Sequence, residues 1–306
     1  MQFDKGQIWF QGGNNMRIQI LSALCLLLAS VPALACDKHG VTGIVEENEM
    51  YIGVDDKASN DMTEARFNKI LDRVEKIYAP IVQKMGAKLM VSRNWDDGTV
   101  NAYAQQQGKT WKISMFGGLA RHETVTDDAF ALVACHEMGH HLGGAPKKKS
   151  FFGSAWASNE GQADYFGNSK CLRKYMEKDN NVRIVKRRKI NKYAAKKCAA
   201  NFETEDDVAL CIRGAMAGMS LANLFRALRK LEKPLRFETP DSGQVSKTND
   251  NHPAPQCRLD TYFQGALCSI DAYIDVDQKD PLIGTCNRVD GHKDGLRPLC
   301  WYKPTR

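Results

Sequence analysis

Beyond its N-terminal region this chain contains no run of eighteen apolar residues, so nothing there asks for a permanent membrane span. Its ten cysteines include no CxxC pair, which argues against a knuckle-type structural zinc site. There are no internal repeats and no low-complexity linker, which excludes solenoids and tandem arrays. The most basic stretch, Lys170 to Lys197 with Lys186-Arg187-Arg188-Lys189 at its centre, belongs to no nucleic-acid-binding motif, so no nucleic-acid partner is expected. A solvated helix face explains it better than docking on anionic lipid or cell-wall polymer. Asp275, Asp277 and Asp280 invite a calcium reading. The missing glycine at the sixth position and Lys279 in place of an oxygen ligand argue against an EF-hand.

What is present starts with export. Residues 1–15 match no signal pattern and read as an upstream extension, with Met16 as the start. Residues 16–35 read as a secretion signal: Met16-Arg17, an apolar run from Ile18 to Leu34, then Ala33-Leu34-Ala35 before Cys36. Cleavage after Ala35 fits, and so does cleavage with a lipid on Cys36, which would attach the protein to a membrane. Setting aside Cys25 and Cys36 leaves eight cysteines, an even number that favours the lipid slightly. The expected location is the periplasm or an envelope-anchored lipoprotein, with secretion as the alternative. Disulfides are then expected among Cys135, Cys171, Cys198, Cys211, Cys257, Cys268, Cys286 and Cys300, in one of roughly a hundred connectivities. The net charge of +7 falls to +6 once Arg17 leaves with the signal.

The chemistry is concentrated in His136-Glu137-Met138-Gly139-His140. On a helix, residues four apart lie only about 40° apart around the axis. Two imidazoles at that spacing can share one metal, with the intervening Glu beside them to take a proton from an attacking water. Thr126 can cap the helix, Asp127 and Asp128 suit its positive end, and Gly143-Gly144 can stop it. Ser158 or Asn159 can cap a further helix that puts Glu160 and Asp164 on one face. Glu160, twenty residues beyond His140, is the candidate third ligand. Asp164 would hold a ligand histidine by its outer N–H, fixing its tautomer. His141 is rotated about 140° from His136 and reads as a surface or supporting histidine. Cys135 reads as a core thiol or a disulfide partner.

With Glu160-x-x-Ala163-Asp164 added, the chain resembles the gluzincin metallopeptidases of the group containing HtpX and the CAAX prenyl protease. Val100-Asn101-Ala102-Tyr103-Ala104 and Trp111 to Leu119 resemble that family's strand pair before the catalytic helix. His252-Pro253-Ala254-Pro255-Gln256-Cys257-Arg258 resembles its HPxxxxR motif. The resemblance covers roughly residues 60–270. It implies one Zn2+ per chain on His136, His140 and Glu160, with Glu137 as general base and then proton donor. It places Asn101, Ala102 and Tyr103 near an edge strand that receives the substrate backbone. It gives His252 the oxyanion or a gating role, and Arg258 the anchoring of that loop. The His140–Glu160 interval, and Asn159 to Asp164 as Asn-Glu-x-x-x-Asp, are also similar to thermolysin-type enzymes.

The expected fold is α+β: a mostly helical, zincin-type metallopeptidase domain over residues 36–270, with a small sheet flanking the metal helix, and a disulfide-rich extension over 271–306. Val41 to Val54 reads as a strand pair. A helix capped by Asn60-Asp61-Met62-Thr63 runs to about Met85 on Phe67, Ile70, Leu71, Val74, Ile77 and Tyr78. Lys88 to Arg93 reads as a strand. A helix from Thr204 to about Leu231 carries small residues for close packing, and Glu238 to Asn251 is a loop delivering His252. The expected function is zinc-dependent endopeptidase action on envelope or extracellular proteins or peptides, misfolded ones included. The alternatives are a zinc-stabilised chaperone or peptide-binding module with little turnover, and a secreted thermolysin-like protease. Retention of Glu137 favours an enzyme, because a binder needs no base there.

Overall fold

The computed structural model describes residues 41–56, 60–149 and 155–304. The upstream extension, the signal and Cys36 lie outside the described residues. Within them the architecture is α+β, a four-stranded sheet against a helical body.

The first long helix, α1 (Glu64–Lys84), starts where Thr63 Oγ1 accepts the N–H of Arg66. Phe67, Ile70, Leu71, Val74 and Tyr78 are buried, as their spacing requires, and Ile77 is partly buried. The sheet contains β1 (Val41–Gly43), β2 (Lys88–Asn94), β3 (Ala102–Gln107) and β4 (Thr110–Phe116), in the order β1-β3-β4-β2. β3 and β4 form an antiparallel hairpin, and β2 joins β4 in parallel after the α1 crossover. α1 meets the metal-motif helix through Phe67 and Phe130, whose ring centroids are 5.0 Å apart.

The expected strand pair over Val41 to Val54 does not form. Only β1 is a strand, antiparallel on β3 with Gly43 opposite Tyr103, and Tyr51 makes an isolated bridge to Thr99. The physical reason lies in Asn101. Its amide donates to Val45 O (3.1 Å) and accepts from Val45 N (3.3 Å), so a side chain takes the place of the next ladder step. The chain then turns away.

The helix from Thr204 is Glu205–Leu228, three residues shorter than expected. It is long and apolar enough to cross a membrane, yet most of it is buried inside the fold, packed by small residues against the helix Pro255–Leu267. Four disulfides join Cys135 to Cys171, Cys198 to Cys211, Cys257 to Cys300 and Cys268 to Cys286. That bonding is the chemistry of an oxidising compartment. Past Ser269 the described chain has no helix or strand; the last two bridges hold it to the helical body, with Tyr165 Oη donating to Gly295 O (2.7 Å) and Arg297 Nη1 to Gln162 Oε1 (3.2 Å).

Candidate metal centre

The motif helix, α2, is Asp127–Leu142. Thr126 Oγ1 accepts the N–H of Ala129, and Asp127 and Asp128 lie at the positive end of the dipole. Asp128 is buried and held by Arg213, with Arg213 Nη2 2.6 Å from Asp128 Oδ1 and Nε 3.1 Å from Oδ2. Every residue from Asp128 to Leu142 is buried, so the helix is a core element on all sides. It ends at Gly143, and Gly144 supplies the left-handed backbone at φ 75°.

The next helix, α3 (Glu160–Phe166), begins where Asn159 Oδ1 accepts the N–H of Gln162 (2.9 Å). It crosses α2 at Gly139. A Cβ on Gly139 would lie 2.9 Å from both Cα and O of Ala163, closer than real contacts allow. This small-residue crossing lets the two backbones approach, and so brings Glu160 against both histidines.

Glu160 Oε2 lies 3.3 Å from His136 Nε2 and 3.7 Å from His140 Nε2. A tetrahedral zinc with bonds of about 2.0 Å separates its ligand atoms by roughly 3.3 Å, so the spacing is that of a ligand set. The tautomers agree. His136 Nδ1–H donates to Asp164 Oδ1 (2.7 Å), and His140 Nδ1–H donates to the carbonyl of Ser158 (2.8 Å). Each imidazole therefore turns its Nε2 inward, the atom that would bind a metal. Both Nε2 atoms and Glu160 Oε2 are buried with no hydrogen-bond partner, an arrangement that is costly unless something binds there. Two imidazoles and one carboxylate are a donor set that suits zinc. A second group, Asp241 with Cys257 and Cys300, is no metal site, because the two cysteines are bonded to each other.

The electrostatics follow from this packing. Burial pushes His136 down, but the Asp164 carboxylate outweighs it and raises the imidazole to about 9. Burial drives His140 well below the ordinary histidine value. Burial alone would raise Glu160, yet His252, His140 and Lys148 hold its carboxyl well below the usual range. Lys148 Nζ is 3.0 Å from Glu160 Oε1. Glu137 has no exposed surface, neither carboxylate oxygen has a hydrogen-bond partner, and burial lifts it to about 8. A carboxyl poised near neutrality beside a metal-type donor set has the properties of a general base.

Behind the histidines, Arg258 grips Asp164 in a fork: Nε to Oδ2 and Nη2 to Oδ1, both 2.8 Å. Tyr262, one turn further along the same helix, donates its hydroxyl to Asp164 Oδ1. Arg258 therefore anchors the residue that orients His136, and it also donates to Ile44 O, next to the Gly43 that His252 contacts. His252 does reach the centre, with Nε2 3.3 Å from Glu160 Oε2. That Nε2–H donates to Gly43 O (2.7 Å).

Asn101, Ala102 and Tyr103 lie beside an edge strand, β1. β1 pairs with β3 from Tyr103 to Gln105, and Ile44 N–H donates to Ala102 O (3.0 Å). Asn101 staples the segment after β1, and Tyr103 donates its hydroxyl to Glu47 Oε1 (3.1 Å). Of the two readings of His141, a surface or a supporting residue, burial excludes the first. His141 is buried between the rings of Trp111 and Trp156, where apolar area outweighs its polarity. Cys135 points off the metal face into its disulfide with Cys171.

Sequence reasoning missed Lys148, Ser158 as an acceptor, and Tyr262. Tyr262 had a signal, four residues beyond Arg258 on one helix face. The other two act from the segment between the two motif helices, where no periodicity operates. Compared with known proteins, the chain matches no family model, no curated protein and no solved structure.

Proposed function

We propose that this protein is a zinc metalloendopeptidase of the gluzincin type, hydrolysing peptide bonds of envelope or extracellular proteins, misfolded ones included. The observation that carries the reading is the convergence of His136 Nε2, His140 Nε2 and Glu160 Oε2, all buried and unpartnered, beside the buried, unpartnered carboxyl of Glu137. His136, His140 and Glu160 would hold the metal. When bound, zinc polarises a scissile carbonyl and lowers the pKa of water to about 7. Glu137 takes the proton of the attacking water on a carboxylate oxygen and passes it to the leaving amine. Asp164, forked by Arg258, keeps His136 in the Nδ1–H tautomer. His252 Nε2–H, now donated to Gly43 O, is the group that would turn to a developing oxyanion. We place the protein in the periplasm or, with a lipid on Cys36, on the membrane facing it, with secretion as the alternative.

A second reading, a zinc-stabilised peptide-binding module with little turnover, is favoured by one observation: His136, Glu137, His140 and Glu160 have no exposed surface. Casein cleavage by purified mature protein, beside Glu137→Gln and a chelator-treated sample, separates the readings. The peptidase reading expects cleavage lost by at least about a hundredfold in both controls. Zinc with no cleavage in wild type, and cleavage appearing in His252→Ala, would select a gated centre instead.

A further inference from the structure

A wide cleft of about 760 Å3 is lined by Gln106, Trp111, His141, Lys147, Lys148 and Trp156 among others. Its wall is a stack of three rings. His141 lies 5.4 Å from Trp111 at an interplanar angle of 7°, and 5.0 Å from Trp156 at 25°. His141 Nε2–H donates to Lys112 O (3.1 Å), which fixes the middle ring to β4. The wall is therefore rigid.

Lys147 stands at this wall. Its Nζ donates to Trp156 O (3.1 Å), Gln278 Oε1 (2.7 Å) and Ser158 Oγ (3.5 Å). All three acceptors are neutral, and no carboxylate pairs with this half-buried ammonium among the described residues. Residues 150–154 contain no Asp or Glu. A partly desolvated cation lacking a counter-charge is unfavourable, and an entering anion relieves that cost. One lining residue touches the centre: Lys148 Nζ lies 3.0 Å from Glu160 Oε1. Gln106, the residue after the β1-paired Gln105 on β3, also lines the cleft.

We propose that this cleft is a subsite for a carboxylate of the peptide substrate, paired with Lys147 and flanked by Trp111 and Trp156. The carboxylate is either an Asp or Glu side chain or a free C-terminus. The proposal rests on the peptidase reading of the centre.

The test measures binding, not turnover. Three alanine-based hexapeptides, all acetylated, are titrated onto the Glu137→Gln protein and followed by tryptophan fluorescence. One carries a central Glu and is amidated, one carries Gln and is amidated, and one carries Gln with a free C-terminus. The subsite predicts that the Glu peptide, the free-carboxylate peptide or both bind about tenfold more tightly than the amidated Gln peptide. Which one does identifies the source of the carboxylate. Lys147→Gln should abolish the preference and Lys147→Arg should restore it. Equal affinities, no binding of any peptide, or a preference that survives Lys147→Gln overturn the subsite. Zinc content and casein cleavage of the wild-type protein report separately on the centre, so either proposal can fail while the other stands.

Discussion

Asp164 Oδ1 sits 2.7 Å from His136 Nδ1, while both Asp164 oxygens are taken by Arg258 at 2.8 Å. One carboxylate thus joins a buried guanidinium to a candidate ligand. Burial would raise Asp164, but Arg258 prevails and brings its carboxyl down to about 2, so it stays ionised at any working pH.

Asp164→Asn should therefore act on both the metal and the fold. An amide cannot balance Arg258, and removing one partner of a buried ion pair costs about 3–5 kcal/mol. Zinc affinity should fall by roughly 10–100-fold through loss of the group that orients His136. Chelator-competition titration reads the affinity, and urea unfolding of metal-free samples reads the stability.

Zinc uptake should release protons. In the metal-free protein His136, raised to about 9, holds a proton at neutral pH, and a metal on Nε2 must expel it. Affinity should then rise with pH by about tenfold per unit between about pH 6 and 8. Calorimetry in two buffers of different ionisation enthalpy counts the protons. Uptake with none released would contradict the assignment of His136.

The N-terminal end of the motif helix should give an acid-sensitive stability term. Burial would raise Asp128, but the bonds to Arg213 and then Arg188 lower it below its ordinary value. A group depressed in the folded state contributes stability above its unfolded pKa and loses it as pH falls through the folded value. Asp128→Asn should be less stable than wild type by about 3 kcal/mol at pH 7. The gap should narrow toward pH 3, as read from urea midpoints.

The parts of this protein legible in its sequence are the local ones. His136 with His140, and Glu160 with Asp164, reveal themselves because four residues make about one helical turn. The caps at Thr126 and Asn159 and the buried stripe of α1 are equally local. What could not be read is set by contacts between distant residues. Arg258 meets Asp164 across 94 residues, and His252 meets Gly43 across 209. The coverage of β3 by β1 depends on a strand only three residues long, too short to carry alternation. The burial of His141 depends on Trp111 and Trp156 arriving from two other segments. Cysteine pairing is likewise invisible until the chain is folded.

X-ray absorption at the zinc edge of the purified protein reads the proposed ligand set atom by atom. A centre of His136, His140 and Glu160 should give one zinc per chain with two imidazole nitrogens at about 2.0–2.1 Å, oxygen in the remaining shell and no sulfur. His140→Ala should lose half the imidazole signal. A sulfur shell at about 2.3 Å, or a protein that binds no zinc, would contradict that ligand set.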